Sequence, residues 1–489
     1  MEVLNICGLK TSTTFKKSLR LVDSTSLIMG SMIGSGIFIV SADIARTLGS
    51  PGWLMITWAV TGLLTVIAAL SYGELAAMMP DAGGQYVYLR EAYNPLAGFL
   101  YGWTLFTVIQ TGTIAAVAMA FAKFLGVLIP WFSEKNIWLQ WGFLKFSPLH
   151  IAAIGSILVL TWINTQGIKA GKTVQNIFTF SKVGILLAFI IAGLFFAKDT
   201  GAIDVNSKIF WQAARMENGT LVSLTGFALI AGIGTAMVGS LFSSDAWNNI
   251  TFAAGEVINP RKNIPLSLFL GTTIVIVLYL LSNLVYIQVL PLRGIPDGAT
   301  VFERGMQYAA NDRLGTASMS GLFGDYAAII MAVLIVISTF GCNNGLILSG
   351  ARVYYAMAND GLFFRKAGNL NSKSVPAFGL VSQCIWACLL CLSGTYSNLL
   401  DYVIFAVLIF YVMTILGIFL LRIKQPDAER PYKAFGYPVI PAIYILSALF
   451  IMIILLIYKP KYTWPGLIIV LLGIPIYFIG KRSLRKTSP

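Results

Sequence analysis

Runs of about 20 apolar residues recur from one end of this chain to the other, and that feature decides most of what it can fold into. A helix of that length crosses a ~30 Å hydrocarbon core. Twelve runs are read, at roughly 22–48, 52–79, 94–126, 149–166, 173–197, 221–254, 264–290, 326–357, 376–393, 396–422, 440–458 and 462–480. Lipid offers no water to backbone N–H and C=O groups, so such spans are helices. Composition agrees: 57% of the 489 residues are hydrophobic and 11% charged, against about 25% charged in soluble domains. An all-α polytopic membrane protein is expected.

An even number of spans puts both termini on one side. The loops on that side carry 21 of the 34 Lys and Arg, the opposite loops 12, and Lys182 lies inside a span. The excess marks the first side as cytoplasmic. The net charge of +14 follows mostly from this asymmetry. The charges are spread among short loops, which argues against nucleic-acid binding. The first 20 residues are polar and basic, with no cleavage site after a short apolar run, so no cleavable signal peptide is expected. The longest polar segments, 198–220 and 291–325, fall outside. The expected location is the cell (inner) membrane, multi-pass, with cytoplasmic termini.

Enzyme chemistry has little to work with. The only histidine is His150, so a His metal cluster is excluded and no catalytic dyad is apparent. Of five cysteines, Cys7 is cytoplasmic and Cys342, Cys384, Cys388 and Cys391 lie in spans. No extracellular disulfide is expected. The last three share a helix face and read as packing thiols. Neither metal nor cofactor is expected.

Two spans weaken themselves. The first, "LIMGSMIGSGIFIVSADIARTLG", places Gly30, Gly34 and Gly36 at its centre, with Ser31 and Ser35 between them. Each glycine costs about 1 kcal/mol against alanine in a helix. The sixth is thinned by Gly232, Gly234 and Gly239, and its "FSSDAWNN" sets Ser243, Ser244, Asp245, Asn248 and Asn249 at membrane depth. Irregular polar backbone survives there only when buried in protein or lining a cavity. Close helix packing alone explains one glycine-rich helix. Two interruptions at matching positions of two five-span halves point instead to an inverted-repeat transporter. Half-helix N-termini suit a carboxylate and C-termini a cation. A ligand with both groups on one carbon is an α-amino acid.

The residues also resemble a known family. "MIGSGIFIVSADIA", "SYGELAAMMPDAGGQYVYLREAY", "DAWNNITFAAGEVINPRKNIPLSL" and "STFGCNNGLILSGARVYYAMANDG" are similar to the L-type amino acid transporters of the amino acid–polyamine–organocation superfamily, over roughly residues 18–425. The resemblance implies a LeuT-type 5+5 inverted repeat: a cytoplasmic N-terminus (1–21), repeats at 22–197 and 221–422, and two added helices with the C-terminus (423–489). It implies substrate carboxylate binding by Ile33, Gly34, Ser35 and Gly36. It implies ammonium binding by carbonyls of Phe242, Ser243, Ser244 and Asp245, with Phe242 covering the substrate. Tyr279 matches a tyrosine near the site and reads equally well as a packing aromatic. Eukaryotic members join a heavy subunit through a cysteine after span 3. The loop Val127 to Leu149 has none, so no disulfide-linked heavy subunit is expected.

Lys182 sits about 14 Å into span 5 at 1.5 Å per residue, near mid-membrane. An intramembrane charge is functional by default. Its ammonium is expected to stand where a bound Na⁺ would sit and to neutralise carbonyl dipoles of the first break; a structural strut is the plainer alternative. The resemblance places a lysine here in sodium-independent members. Asp245 is open to two readings, recognition of a second cationic group or capping of the half-helix, and the cap is the favoured expectation. Glu74, Glu91, Glu256 and Arg352 read as ion pairs at cytoplasmic helix ends.

The expected function is a sodium-independent exchanger of small or medium neutral L-amino acids. The alternatives are a proton-coupled symporter using Lys182, an exchanger that also accepts cationic amino acids, and, outside transport, a channel or an amino acid-sensing receptor. No filter-like ring of carbonyls or charges supports a channel.

Overall fold

The computed structural model describes residues 17–133, 136–141, 144–217, 219–393 and 396–486. The start of the N-terminal segment, with Cys7, and residues 487–489 lie outside the described residues. Each of the twelve apolar runs falls wholly or partly on helix. The first is a bent pair, α1 (Leu21–Met32) and α2 (Gly36–Leu48), turned by 41° across its break. Then follow α3 (Pro51–Met78), α4 (Gln85–Ala92, a short helix between spans), α5 (Pro95–Leu128), α6 (Pro148–Thr165) and α7 (Ile168–Phe196). The second half holds α8 (Gly226–Ser243), α9 (Pro260–Val289), α10 (Asp325–Asn359), α11 (Ala377–Ser393) and α12 (Tyr396–Lys424). Two more complete the chain, α13 (Val439–Tyr458) and α14 (Pro460–Lys486).

Among the described residues, nine helices and the bent pair are long and apolar enough to cross a membrane. The apolar parts of the other two, Ala377–Leu392 and Thr463–Ile479, are shorter. The protein is therefore a multi-pass membrane protein, with up to ten spans passing that measure among the described residues. The sixth run is corrected. It is helical only to Ser243, then passes through an irregular stretch into the turns Asn249–Phe252 and Ala254–Glu256. Two small hairpins went unread in the sequence: Leu139–Trp141 with Leu144–Phe146, and Ala214–Glu217 with Thr220–Ser223.

Local chemistry sets several boundaries. Asn94 caps α5 by accepting from Ala97 N at 3.0 Å, with Pro95 in the first helical position. Gly49 ends α2 in the left-handed region (φ 56°), where a Cβ would lie 1.9 Å from the Ala214 carbonyl oxygen. A five-residue π segment, Leu105–Ile109, widens α5 at its middle, a distortion common at functional sites.

The broken helices lie inside. α1 packs on α7, α9 and α10, and α2 packs on α8. α5 is 83% buried over its apolar window and α13 only 33%, which places α13 at the rim. The strand-like stretch before α1 is tied to the chain leaving the sixth span. Ser18 N and Leu19 N both donate to Glu256 O (2.8 and 3.0 Å), and Ile258 N donates to Leu19 O (2.8 Å). Glu256 also accepts Arg352 through both carboxylate oxygens, at 3.0 and 3.4 Å, with both side chains buried. Glu74 pairs with Arg422 at 2.7 Å and accepts Ala434 N. Glu91 makes only an exposed pair with Arg90.

Removing one member of a buried ion pair strands its partner, at about 3–5 kcal/mol. Glu256→Ala should therefore lower the thermal unfolding midpoint of the purified protein sharply. Adding Arg352→Met should recover most of the loss. Unchanged melting in the single variant would show that this pair does not hold its end of the bundle together.

Candidate functional site

At the first break, α1 ends with Ile33 N donating to Met29 O at 2.8 Å. The next four carbonyls, Gly30 to Ile33, would be left open by the end of the helix. Each accepts from a side chain of another span. Lys182 Nζ donates to Gly30 O at 2.6 Å, and the Cys342 thiol to Ser31 O at 3.0 Å. Tyr279 Oη donates to Met32 O at 2.8 Å, and Ser338 Oγ reaches Ile33 O at 3.5 Å. The donors come from α7, α9 and α10, and all are buried. α2 then begins at Gly36; Phe38 N donates to Ser35 O at 3.0 Å, and the N–H groups of Gly36 and Ile37 have no partner within α2.

The glycines are explained by what presses on them. A Cβ on Gly30 would lie 2.1 Å from Gln175 and 2.2 Å from Thr179 of α7. One on Gly36 would lie 2.0 Å from Ser243 Oγ and 3.0 Å from its Cα. The first break thus packs directly on Ser243 of the second. Only glycine permits that approach.

The second break is built alike. Ser244 N donates to Ser240 O and Asp245 N to Phe242 O. Ala246 sits at φ 66°, a left-handed conformation costing roughly 1–2 kcal/mol outside glycine. Such an outlier is a pointer to function. The last helical carbonyl, Ser243 O, lies 3.1 Å from Tyr279 Oη. Tyr279 therefore shares one hydroxyl between the ends of both half-helices. Its ring packs edge-on to Trp58 at 5.5 Å. Trp58 Nε1 donates to Ser41 Oγ, Ser41 donates to Asn283 Oδ1, and Asn283 Nδ2 returns to Tyr279 O.

A narrow cavity lies between the breaks. Gly34, Ser35, Gly36, Phe242, Ser243 and Asp245 all line it, with Thr113 and Cys342 on the far side. Three expected residues are placed differently. The Ile33 N–H is spent within α1, so it is no donor to a carboxylate. Ser244 lines a neighbouring cavity beside Trp247 and Tyr444, because one helical step turns it away from Ser243. Tyr279 stands behind the break and does not line the cavity; neither does Lys182.

Asp245 also has a partner on another span. The turn Asn249–Phe252 starts from Asn248 without a side-chain cap. The Asp245 carboxylate accepts from Tyr411 Oη of α12 at 2.5 Å and also meets the Ala246 backbone N–H. Tyr411 was missed in the sequence, as were Cys342 and Ser338 as donors to the break. A polar side chain at mid-span was the available signal.

Tyr279→Phe removes one hydroxyl and leaves two helix ends short of a donor. At about 1–3 kcal/mol for an unsatisfied buried group, transport should fall roughly five- to a hundredfold. Protein reaching the membrane should be unchanged. Wild-type rates would reduce Tyr279 to packing.

A family profile described as Amino acid permease matches residues 19–479. Large neutral amino acids transporter small subunit 2 of Homo sapiens is 30% identical over 475 residues, covering 95% of this chain and 80% of its own. b(0,+)-type amino acid transporter 1 of Mus musculus is 28% identical, over 96% of this chain and 88% of its own. Asc-type amino acid transporter 1 of Mus musculus is 26% identical, over 95% and 81%. With two broken helices closing on a cavity lined by backbone and hydroxyl groups, and a profile spanning nearly the whole sequence, the chain belongs to the amino acid permease family, whose members are transporters and not enzymes.

Proposed function

We propose that this protein exchanges small or medium neutral L-amino acids across the cell (inner) membrane by alternating access, without Na⁺. The observation that carries the reading is the pair of breaks meeting at one cavity. First-turn N–H groups of α2, from Gly36 on, suit the substrate carboxylate. The end of α8 at Phe242 and Ser243 suits its ammonium. The walls given by Phe242, Met32 and Val117 leave a narrow apolar space, which favours small side chains. The relatives are named as amino acid transporters, one of them for large neutral amino acids.

Lys182 supports independence from Na⁺. Its ammonium is buried and 2.6 Å from Gly30 O, where it supplies a fixed positive charge to the C-terminal end of α1. A metal cation at that end would supply the same charge. Residues 22–197 and 221–422 form the two inverted repeats in this reading, with 423–489 added. The termini are cytoplasmic by the Lys/Arg excess. The loop after span 3 lacks cysteine, which supports a chain working without a disulfide-linked heavy subunit. A second reading, acceptance of amino acids with a distal cation, has one observation in its favour. Asp245 borders the cavity, and none of the described cations pairs with it.

Two measurements test this. Uptake of radiolabelled alanine into proteoliposomes should be unchanged when choline replaces Na⁺, and should be much faster into vesicles preloaded with amino acid. Strict Na⁺ dependence would sink the assignment of Lys182. Equal rates into empty vesicles under an inward proton gradient would favour symport. Lys182→Ala should cut exchange at least about tenfold, as expected for loss of a buried charged hydrogen bond of roughly 1.5–3 kcal/mol. The variant should still reach the membrane.

A further inference from the structure

Asp245 sits where three cavities meet. One is the space between the breaks. A second runs along α5, past Thr113, Gln110 and Tyr101, to Asn249 and Gln85. The third lies toward Trp247 and Tyr444. Its carboxylate is buried and is met by the Tyr411 hydroxyl and the Ala246 backbone N–H, both neutral donors. The titratable groups around it are few. α12 presents Tyr411, α5 Tyr101, α13 Tyr444 and α10 Cys342. Tyr72 of α3 packs on Tyr411. None of the three cavities is lined by Lys, Arg, His or a second carboxylate. Lys182, the charge on α7, is bonded to Gly30 on the other side of the first break.

A buried ionised carboxylate needs a compensating positive charge. Neutral hydrogen-bond donors do not supply it. Either a proton or a cationic ligand must.

The second cavity gives a proton somewhere to go. Tyr101 Oη and Asn249 Nδ2 line it, are buried, and have no hydrogen-bond partner among the described residues. Gln85 Oε1 accepts from Asn248 in the same wall. Buried polar groups without protein partners are the ones that hold water. Gln85 begins α4, at the cytoplasmic end of the spans on the orientation proposed above.

We propose that Asp245 is a proton-binding site of the transport cycle. On this proposal, which rests on the exchanger reading above, a neutral amino acid is carried with a proton on Asp245. An amino acid with a distal ammonium is carried with Asp245 ionised. The charge carried is then the same in both cases. The proton bonds to a carboxylate oxygen from water on the face where substrate enters. It leaves to water on the face where substrate exits. No other bond changes. Exchange of one neutral amino acid for another moves no net proton, whereas exchange of a neutral for a dibasic one does.

The test uses purified full-length protein in alanine-loaded vesicles with constant internal pH. Alanine uptake should fall several-fold as the external pH is raised from mildly acid to mildly alkaline, because the protonated fraction falls. Inhibition by lysine should strengthen over the same interval. A trapped pH dye should report luminal acidification when alanine enters lysine-loaded vesicles, and none when it enters alanine-loaded ones. In Asp245→Asn, which cannot ionise, alanine exchange at whatever rate remains should be flat with pH, and lysine should no longer compete. The wild-type dye measurement stands even if that variant is poorly made. A flat wild-type profile, no acidification on alanine–lysine exchange, or a pH dependence that survives in Asp245→Asn would each overturn the proposal. The exchanger reading would survive those outcomes. Absence of exchange in the wild type would overturn both.

Discussion

The structure depends on how four carbonyls are satisfied. A helix that stops in mid-membrane leaves its last C=O groups without intrahelical partners, and lipid cannot supply any. In α1 those groups are Gly30, Ser31, Met32 and Ile33. They are met by Lys182, Cys342, Tyr279 and Ser338, from three other spans. The break can persist only because α7, α9 and α10 bring these donors to it. In turn, the glycines that look like weakness along the helix are the points where α7 and the second break come close enough to do so. The cavity and the charge at Lys182 both follow from that requirement.

The same device links the two halves. Tyr279 Oη lies 2.8 Å from the end of α1 and 3.1 Å from the end of α8. A rotation of either half-helix must carry the other with it or give up a buried hydrogen bond. Further down, Leu19 pairs with Glu256 and Ile258, joining the start of α1 to the far side of the sixth span. Glu256 is then held by Arg352 of α10. The two broken spans are thus tied together at their breaks and at one end, which is what an alternating-access element needs if it is to move as a unit.

The apolar runs, both breaks and Lys182 were legible in the sequence because each stands out against lipid. Length, glycine content and a lone charge carry that information without knowledge of neighbours. The remaining details depend on helical phase and on partners distant in the chain. Ser243 and Ser244 are adjacent and chemically alike, yet a turn of about 100° sends them to different cavities. Ile33 sits among residues at the cavity, but its N–H completes the last turn of α1. Tyr279 read equally as packing or as site. Its hydroxyl settles its place at both helix ends while keeping it off the cavity wall. Asp245 was half legible for a related reason. A carboxylate beside a broken helix suggests a local backbone partner, and the Ala246 N–H is one, but Tyr411, 166 residues away, is not visible from the sequence.

Exchange rather than one-way flow has a physical basis in this geometry. The α1 side of the first break is satisfied by protein alone. Of the opposing first-turn N–H groups of α2, Phe38 N donates to Ser35 O while those of Gly36 and Ile37 have no partner within α2, and Asp245 has no cationic partner among the described residues. A substrate carboxylate answers the first need. A proton or a distal ammonium answers the second. Closing the site empty leaves those donors dry, at about 1–3 kcal/mol for each group, and an ionised carboxylate adds more. The empty carrier would therefore reorient more slowly than the loaded one. A loaded carrier that reorients readily, paired with an empty one that does not, is an exchanger.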